Sequence, residues 1–314
     1  MLLNTNWTQI EAAHVLGLME AWPAPMPAQR AFVELARARL RVPAASVTLH
    51  ELGPARRPET LQVLIVLTCL GNEVTDTQLE WLETLNRQLD APTPWVELIR
   101  SGRAGHRARA TMTLARLSPD ARAMFRTTWQ RGGLFGVVPV MLSIAGRGPK
   151  NDALAARYER LGSLPSETLG AAFFEHMRSR KLPMPGEAGS LPEVMMHHDL
   201  MHVITGFDTD ARGEGRLAGF YAGATARHPV EGADPFTFVM VGLLTFQLGY
   251  RIGPTFVGAE RGVVDPSELL AFMELGSRVP VDLVQSWRFE EDLERPLDEV
   301  RARFGLPAGG ALAA

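Results

Sequence analysis

The 314-residue sequence predicts an all-α protein built in two helical parts. Three observations lead there. Apolar residues recur at three- and four-residue intervals, helix caps and stops bracket those stretches, and alternating strand patterns joined by hairpin turns are absent. With 46% hydrophobic residues, the chain is long enough for one large core or two ordinary ones.

The stretch "PETLQVLIVLTCLGNEVTDTQLEWLETLNRQLDAP" reads as a helix, a stop at Gly71-Asn72, a cap at Thr75/Asp76 and a second helix. Leu79, Leu82, Leu85 and Leu89 recur at helical spacing along that second helix, and Pro92 and Pro94 end it. The apolar run 61–67 also fits a buried strand, although no alternating strand pattern appears elsewhere. "SPDARAMFRTTWQRGG" offers Ser118 as cap, Pro119 at the first helical position and a Gly-Gly stop. "PSETLGAAFFEHMRSRK" repeats the plan, with Ser166 as cap and basic residues in the last turn. Further helices are predicted over 191–205, 212–227, 235–251, 265–276 and 280–302. The Gly/Pro-rich "SIAGRGPKNDA" divides residues 1–150 from 151–314, and "KLPMPGEAGSLPE" (181–193) is a loop leading into the next helix. No repeat of fixed period is visible. The tail "GLPAGGALAA" is expected to fray.

A formal net charge of -3 gives no electrostatic footprint for nucleic acid. Cys69 is the single cysteine and lies inside "LQVLIVLTCL", which predicts a buried, inert thiol and suits a reducing compartment. The opening residues lack a basic leader followed by a long apolar core, so a cytoplasmic protein is expected. Two stretches invite comparison with a membrane span. Residues 132–146 carry a central Pro139, and residues 235–258 are interrupted by Gln247 and Arg251. A spanning helix needs about 20 apolar residues, so both read as buried helices, with docking on a membrane face as the other use open to each.

The chemistry-bearing stretch is "HHDLMHVITGFDTDARGE", residues 197–214. On a helix each residue advances about 100°, so His198 and His202 share one face, with Asp199 on its neighbouring edge. Gly206 offers a stop, and "FDTDARGE" lets the chain reverse into a second helix near Arg212. Glu214 can then point back, so two imidazoles and two carboxylates converge between consecutive helices. That donor set suits zinc, iron, manganese or cobalt and suits calcium poorly. An octahedral ion would keep positions for substrate, water or dioxygen. The bland alternative is a pair of helices joined by a charged loop, and the pattern alone leaves both open.

Neighbouring motifs fit less well. Zinc proteases use His-Glu-x-x-His, and here the acid is one carbon shorter. His-Asp phosphohydrolases need an upstream histidine and a distant aspartate, for which His176 and Asp282 are the residues available. A four-helix di-iron site needs Glu-x-x-His on two helices, and the motif region has none.

"HDLMH", eleven residues and then Glu214 resembles the His-Asp-x-x-His-x11-Glu signature of the Coq4 family of ubiquinone biosynthesis proteins. "RLGSLPSETLGAAFFEHM" (160–177), "HVITGF", "GEGRLAGFYAGA" and "WRFEEDLERPLDEVRARFGLP" (287–307) extend the similarity over about residues 155–307, with Pro296-Leu297, Arg301 and Phe304-Gly305 in register. The chain departs from many members at Met195, where they carry a basic residue, and at Ala218-Gly219, which replace the Lys-Trp of eukaryotic forms, while Phe220 is kept. Residues 1–150 have no counterpart, and the helical pair around "LTCLGNEVTDTQLEWLETL" distantly resembles TerB-like domains.

The resemblance implies an all-helical protein holding a divalent metal on His198, Asp199, His202 and Glu214 and acting on a polyprenylated quinone precursor. The implied reaction is oxidative decarboxylation, in which a hydroxyl replaces the ring carboxylate at C1. His197 and His228 stand nearest for proton transfer, with a surface or capping role as the alternative, and Arg212 and Arg216 flank Glu214 where a substrate carboxylate would come, with solvated charge at a helix start as theirs. Phe220, Tyr221, Gly242 and Gly249 are candidates for an isoprenoid groove, with an ordinary core helix as its rival. The other functional class is a non-catalytic isoprenoid-lipid-binding scaffold. Expected partners are other quinone-biosynthesis proteins, a second copy of the chain and the inner face of a membrane, with the N-terminal helices as a docking module.

Overall fold

Short polar side chains start most of the helices. In the computed structural model, which describes residues 7–44, 52–71, 74–117, 119–144, 147–229, 235–248, 264–284 and 286–313, α1 (Gln9–Glu20) opens on a capping box between Thr8 and Glu11. Helices α2 (Pro27–Leu40) and α3 (Arg56–Cys69) follow. Thr75 and Gln78 form a second box at α4 (Asp76–Gln88), where the Gln78 amide donates to Thr75 Oγ1 at 3.2 Å. Such boxes satisfy amides that have no partner inside the helix. Pro94 begins α5 (Pro94–Arg103) behind a Thr93 cap, so the proline expected only as a stop also starts a helix. Then come α6 (Arg107–Leu117), α7 (Pro119–Ile144), α8 (Asp152–Glu159), α9 (Leu169–Ser179), α10 (Met196–Thr205), α11 (Ala211–Arg227), α12 (Pro235–Leu248), α13 (Pro266–Gly276) and α14 (Leu297–Arg303).

The fold is all-α. Among the described residues the only β pairing is an isolated bridge between Thr168 and Pro296. The ambiguous run 61–67 lies inside α3, where every residue but Gln62 is buried. Cys69 ends that helix as a buried thiol, its pKa pushed up by burial.

Several expectations need correction. The cap of α9 is Thr168, whose hydroxyl accepts from the Ala171 amide at 3.3 Å; Ser166 lies two residues too early. The Gly-Gly stop is a kink instead, because Gly133 takes φ 52° and ψ -138° and the helix then resumes to Ile144. None of the described side chains of the resumed half is buried: Phe135 is 94% exposed, with Val138 and Leu142 exposed as well. Residues 280–302 do not form one helix. They give a short 3-10 turn at Phe289–Glu291 and then α14, because Pro296 blocks continuation and Asp292 is buried against Arg303, Arg295 and Trp287. The tail does not fray through Ala313. Arg301 bonds the Ala308 carbonyl, Ala311 is buried, and Gly310 lies so close to the Thr205 carbonyl on α10 that a Cβ there would be 2.5 Å from it. Asn72, Ser118 and Gly249 lie outside the described residues.

Helix α11 is the hub of the second half, packed on α12 and α13. A Cβ on Gly223 would sit 2.0 Å from the Met273 carbonyl of α13, so only glycine permits this approach. Helix α12 is largely apolar, and its described side chains from Phe236 to Leu244 are buried or half-buried, with Val239 and Met240 fully enclosed. It also packs on α3 and α5, and α13 packs on α2, so buried apolar side chains from both halves join one cluster. No helix among the described residues is long and apolar enough to cross a membrane.

Candidate metal centre

The turn between α10 and α11 sets the site. Gly206 closes α10 in the left-handed conformation, φ 74°, which costs glycine nothing. The Asp210 carboxylate caps α11 by accepting from the Gly213 amide at 2.7 Å. Gly213 is required there, because a Cβ would fall 1.8 Å from the Asp208 carbonyl oxygen. The reversal puts Glu214 in the first turn of α11, facing the two histidines of α10.

His198 Nε2 lies 3.2 Å from His202 Nε2 and 3.3 Å from Glu214 Oε2, and His202 Nε2 lies 3.2 Å from Glu214 Oε1. One donor atom from each of these residues falls within 4.8 Å of the others. Two nitrogens and a carboxylate at that spacing form a set that could hold a borderline divalent cation. His202 Nδ1 lies 3.3 Å from the Phe207 carbonyl oxygen, and a proton donated there leaves the Nε2 lone pair directed into the cluster. His202 is buried, Glu214 is mostly buried, and the His198 side chain is 48% exposed, so the cluster opens to solvent on one side.

Asp199 does not join the three atoms that converge. One residue beyond His198 is about 100° further round the helix, so when both imidazoles aim at Glu214 the Asp199 carboxylate stands at the edge. Burial raises its pKa, opposed by the charges of His198 and His202. For Glu214 burial also pushes upward, but the two imidazoles outweigh it and hold the carboxyl well below the usual range.

The remaining expected residues have other partners. Arg212 and Arg216 both grip Glu268 of α13, with closest distances of 2.6 and 2.7 Å, so neither is held ready for a substrate carboxylate. His197 Nδ1 sits 3.0 Å from the Tyr221 hydroxyl, with the Trp287 ring edge-on at 4.9 Å, and burial pushes its pKa down to about 4. His228 Nε2 donates to the Val279 carbonyl at 3.1 Å, tying the end of α11 to the loop after α13. Phe220 is fully buried, Tyr221 stacks on Phe238, and a Cβ on Gly242 would lie 2.6 Å from that of Ala218. These positions close the seam between α11 and α12, so at Gly242 the missing side chain makes room for Ala218.

Three further residues support the site. Phe207 acts through its backbone carbonyl, for which no sequence signal exists. Arg301 donates to the Ile204 and Val203 carbonyls at 3.0 and 3.1 Å, satisfying the end of α10. His176 lies against His202, ring centroids 6.1 Å apart; burial, with the nearby Arg180 charge, pushes its pKa down to about 3, so it stays neutral beside the cluster. No protein-family profile matches the chain, and no curated protein matches it.

Proposed function

We propose that the chain binds a divalent cation, one of zinc, iron, manganese or cobalt, through His198, His202 and Glu214, and that it acts in quinone biosynthesis by oxidative decarboxylation of a polyprenylated hydroxybenzoate. The convergence of two imidazole nitrogens and a carboxylate oxygen within 4.8 Å carries this reading. The substrate class comes from the likeness of "HDLMH", eleven residues and Glu214 to the Coq4 signature. Asp199 belongs to the proposal as a fourth donor that reaches the cluster by side-chain rotation.

A bound cation would supply Lewis-acid stabilisation for a ring carboxylate or phenolate. The protein's own groups prepare for that. The Phe207 carbonyl fixes the His202 tautomer, the Glu214 carboxylate faces both imidazoles, and the exposed edge of His198 leaves a way in from solvent. That opening favours the enzyme over the scaffold, for which a closed site would serve. The proposal includes peripheral contact with the inner face of a membrane, a second copy of the chain and other quinone-biosynthesis proteins as partners, and residues 1–150 as the docking part.

Protein purified anaerobically and loaded with each cation in turn is given a prenylated hydroxybenzoate and oxygen. Decarboxylated, hydroxylated product is expected from one loaded form and none from Glu214→Ala. Stoichiometric cation in every form, with no product from any, would overturn the enzymatic reading and leave the scaffold.

A further inference from the structure

The kinked helix α7 and its neighbour α6 present a surface that the metal chemistry does not use. Beyond the kink at Gly133, Phe135, Val138 and Leu142 follow at intervals of three and four residues, which sets them in one stripe. They are 94%, 53% and 41% exposed, and Trp129 before the kink and Met112 on α6 are each 58% exposed. Large side chains this exposed and this close in the chain mark a surface that something covers.

The charge carried by the same stretch of chain says what does. Residues 102–150 hold nine Arg and Lys against one acid, Asp120, in a chain whose net charge is -3. Arg116, Arg126 and Arg147 are exposed. Some of the others are already engaged: Arg103 pairs with Asp76 and Arg109 with Glu97. A second copy pressing the same face would bring like charges together. A polyanion without apolar depth would leave Phe135, Val138 and Leu142 in water. A bilayer with anionic headgroups meets both demands, since apolar side chains enter the acyl boundary while arginines take the phosphates. No described helix is long and apolar enough to span, so contact with a bilayer through α7 would be made in the plane of the interface.

We propose that α6 and the kinked α7 form the membrane-docking face of this protein, with anionic phospholipid as the occupant. The inference rests on the membrane-contact part of the proposed function and is independent of the cation.

Full-length protein is floated with vesicles of phosphatidylcholine alone or of phosphatidylcholine mixed with phosphatidylglycerol. Binding to the anionic vesicles is expected to exceed binding to the neutral ones by about tenfold or more and to fall with salt. Phe135→Asp with Leu142→Asp is expected to reduce it by about tenfold or more, and Arg116→Glu with Arg126→Glu by a similar factor. Circular dichroism and cation content, both unchanged, show that these variants fold and keep the metal cluster, which separates failure here from failure of the metal reading. Equal binding to both vesicle types, or binding indifferent to both variant pairs, would overturn the proposal. So would absence of vesicle binding, and a dimer by sedimentation that Phe135→Asp dissociates would then make a second copy the occupant.

Discussion

The Glu268 carboxylate on α13 accepts from both Arg212 and Arg216, which gathers three charges at the seam between α11 and α13, directly behind the turn that carries Glu214. The two guanidiniums hold its pKa down to about 2, from an ordinary 4.5. A folded pKa below the unfolded one means that the stabilisation is fully present above pH 4.5 and is lost as the pH falls toward 2. Solvent screens the cluster, so we expect about 1–2 kcal/mol from it. Chemical denaturation of Glu268→Gln against the parent should show that gap at pH 7 and a narrowing gap below pH 4; a gap independent of pH would refute the charge argument. Arg212 and Arg216 were legible in the sequence as charges beside Glu214, but their shared partner lies more than 50 residues on and nothing local points to it. The same holds for the Phe207 carbonyl, whose role depends on the turn and not on the side chain. His198, His202 and Glu214 were legible because helical periodicity and two glycines fix their approach, whereas Asp199 shows how a rotation of about 100° separates adjacent residues.

Helix α10 has only ten residues, and its C-terminal carbonyls are held from outside. Arg301 of α14 reaches back 97 and 98 residues in sequence to Ile204 and Val203, and from the same guanidinium to Ala308, which seats the tail. Arg301→Met keeps most of the aliphatic stem and removes the donors. It should cost about 1–3 kcal/mol in thermal or chemical unfolding, since charge-assisted hydrogen bonds to part-buried carbonyls are lost. It should also weaken cation binding measured by titration calorimetry, because the helix carrying both histidines loosens. Unchanged affinity alongside lost stability would confine Arg301 to the tail. Elements with their own signals could be placed from the sequence, such as α4 behind Thr75 and α11, expected near Arg212 after the Gly206 stop. Residues 280–302 could not. Their apolar spacing suggests a helix, yet the buried Asp292 draws Arg303, Arg295 and Trp287 into a compact turn that Pro296 ends, and burial of an acid is a tertiary fact.

At the scale of the whole molecule, the cluster joins two consecutive helices whose other faces lie in the common core. Helix α11 packs on α12 and α13, and those in turn meet α2, α3 and α5, contacts between distant parts of the sequence that no periodicity could announce. A cation clasping α10 to α11 therefore adds its binding free energy to a unit already tied to the rest of the fold. A ligand that binds only the folded state stabilises it by about 2.7 kcal/mol when present at 100 times its Kd. For a chain of this size that corresponds to a rise in Tm of roughly 5 °C. Scanning calorimetry of chelator-treated protein with zinc, iron(II), manganese or cobalt added back should show such a rise for at least one of them. His202→Ala should abolish it, because His202 is the fully buried donor whose ring is fixed on both sides, while Phe135→Asp on α7 should leave it intact. A rise of the same size in His202→Ala would mean that the cation stabilises the fold from somewhere else, and the meeting of α10 with α11 would then be a helix pair joined by a charged turn.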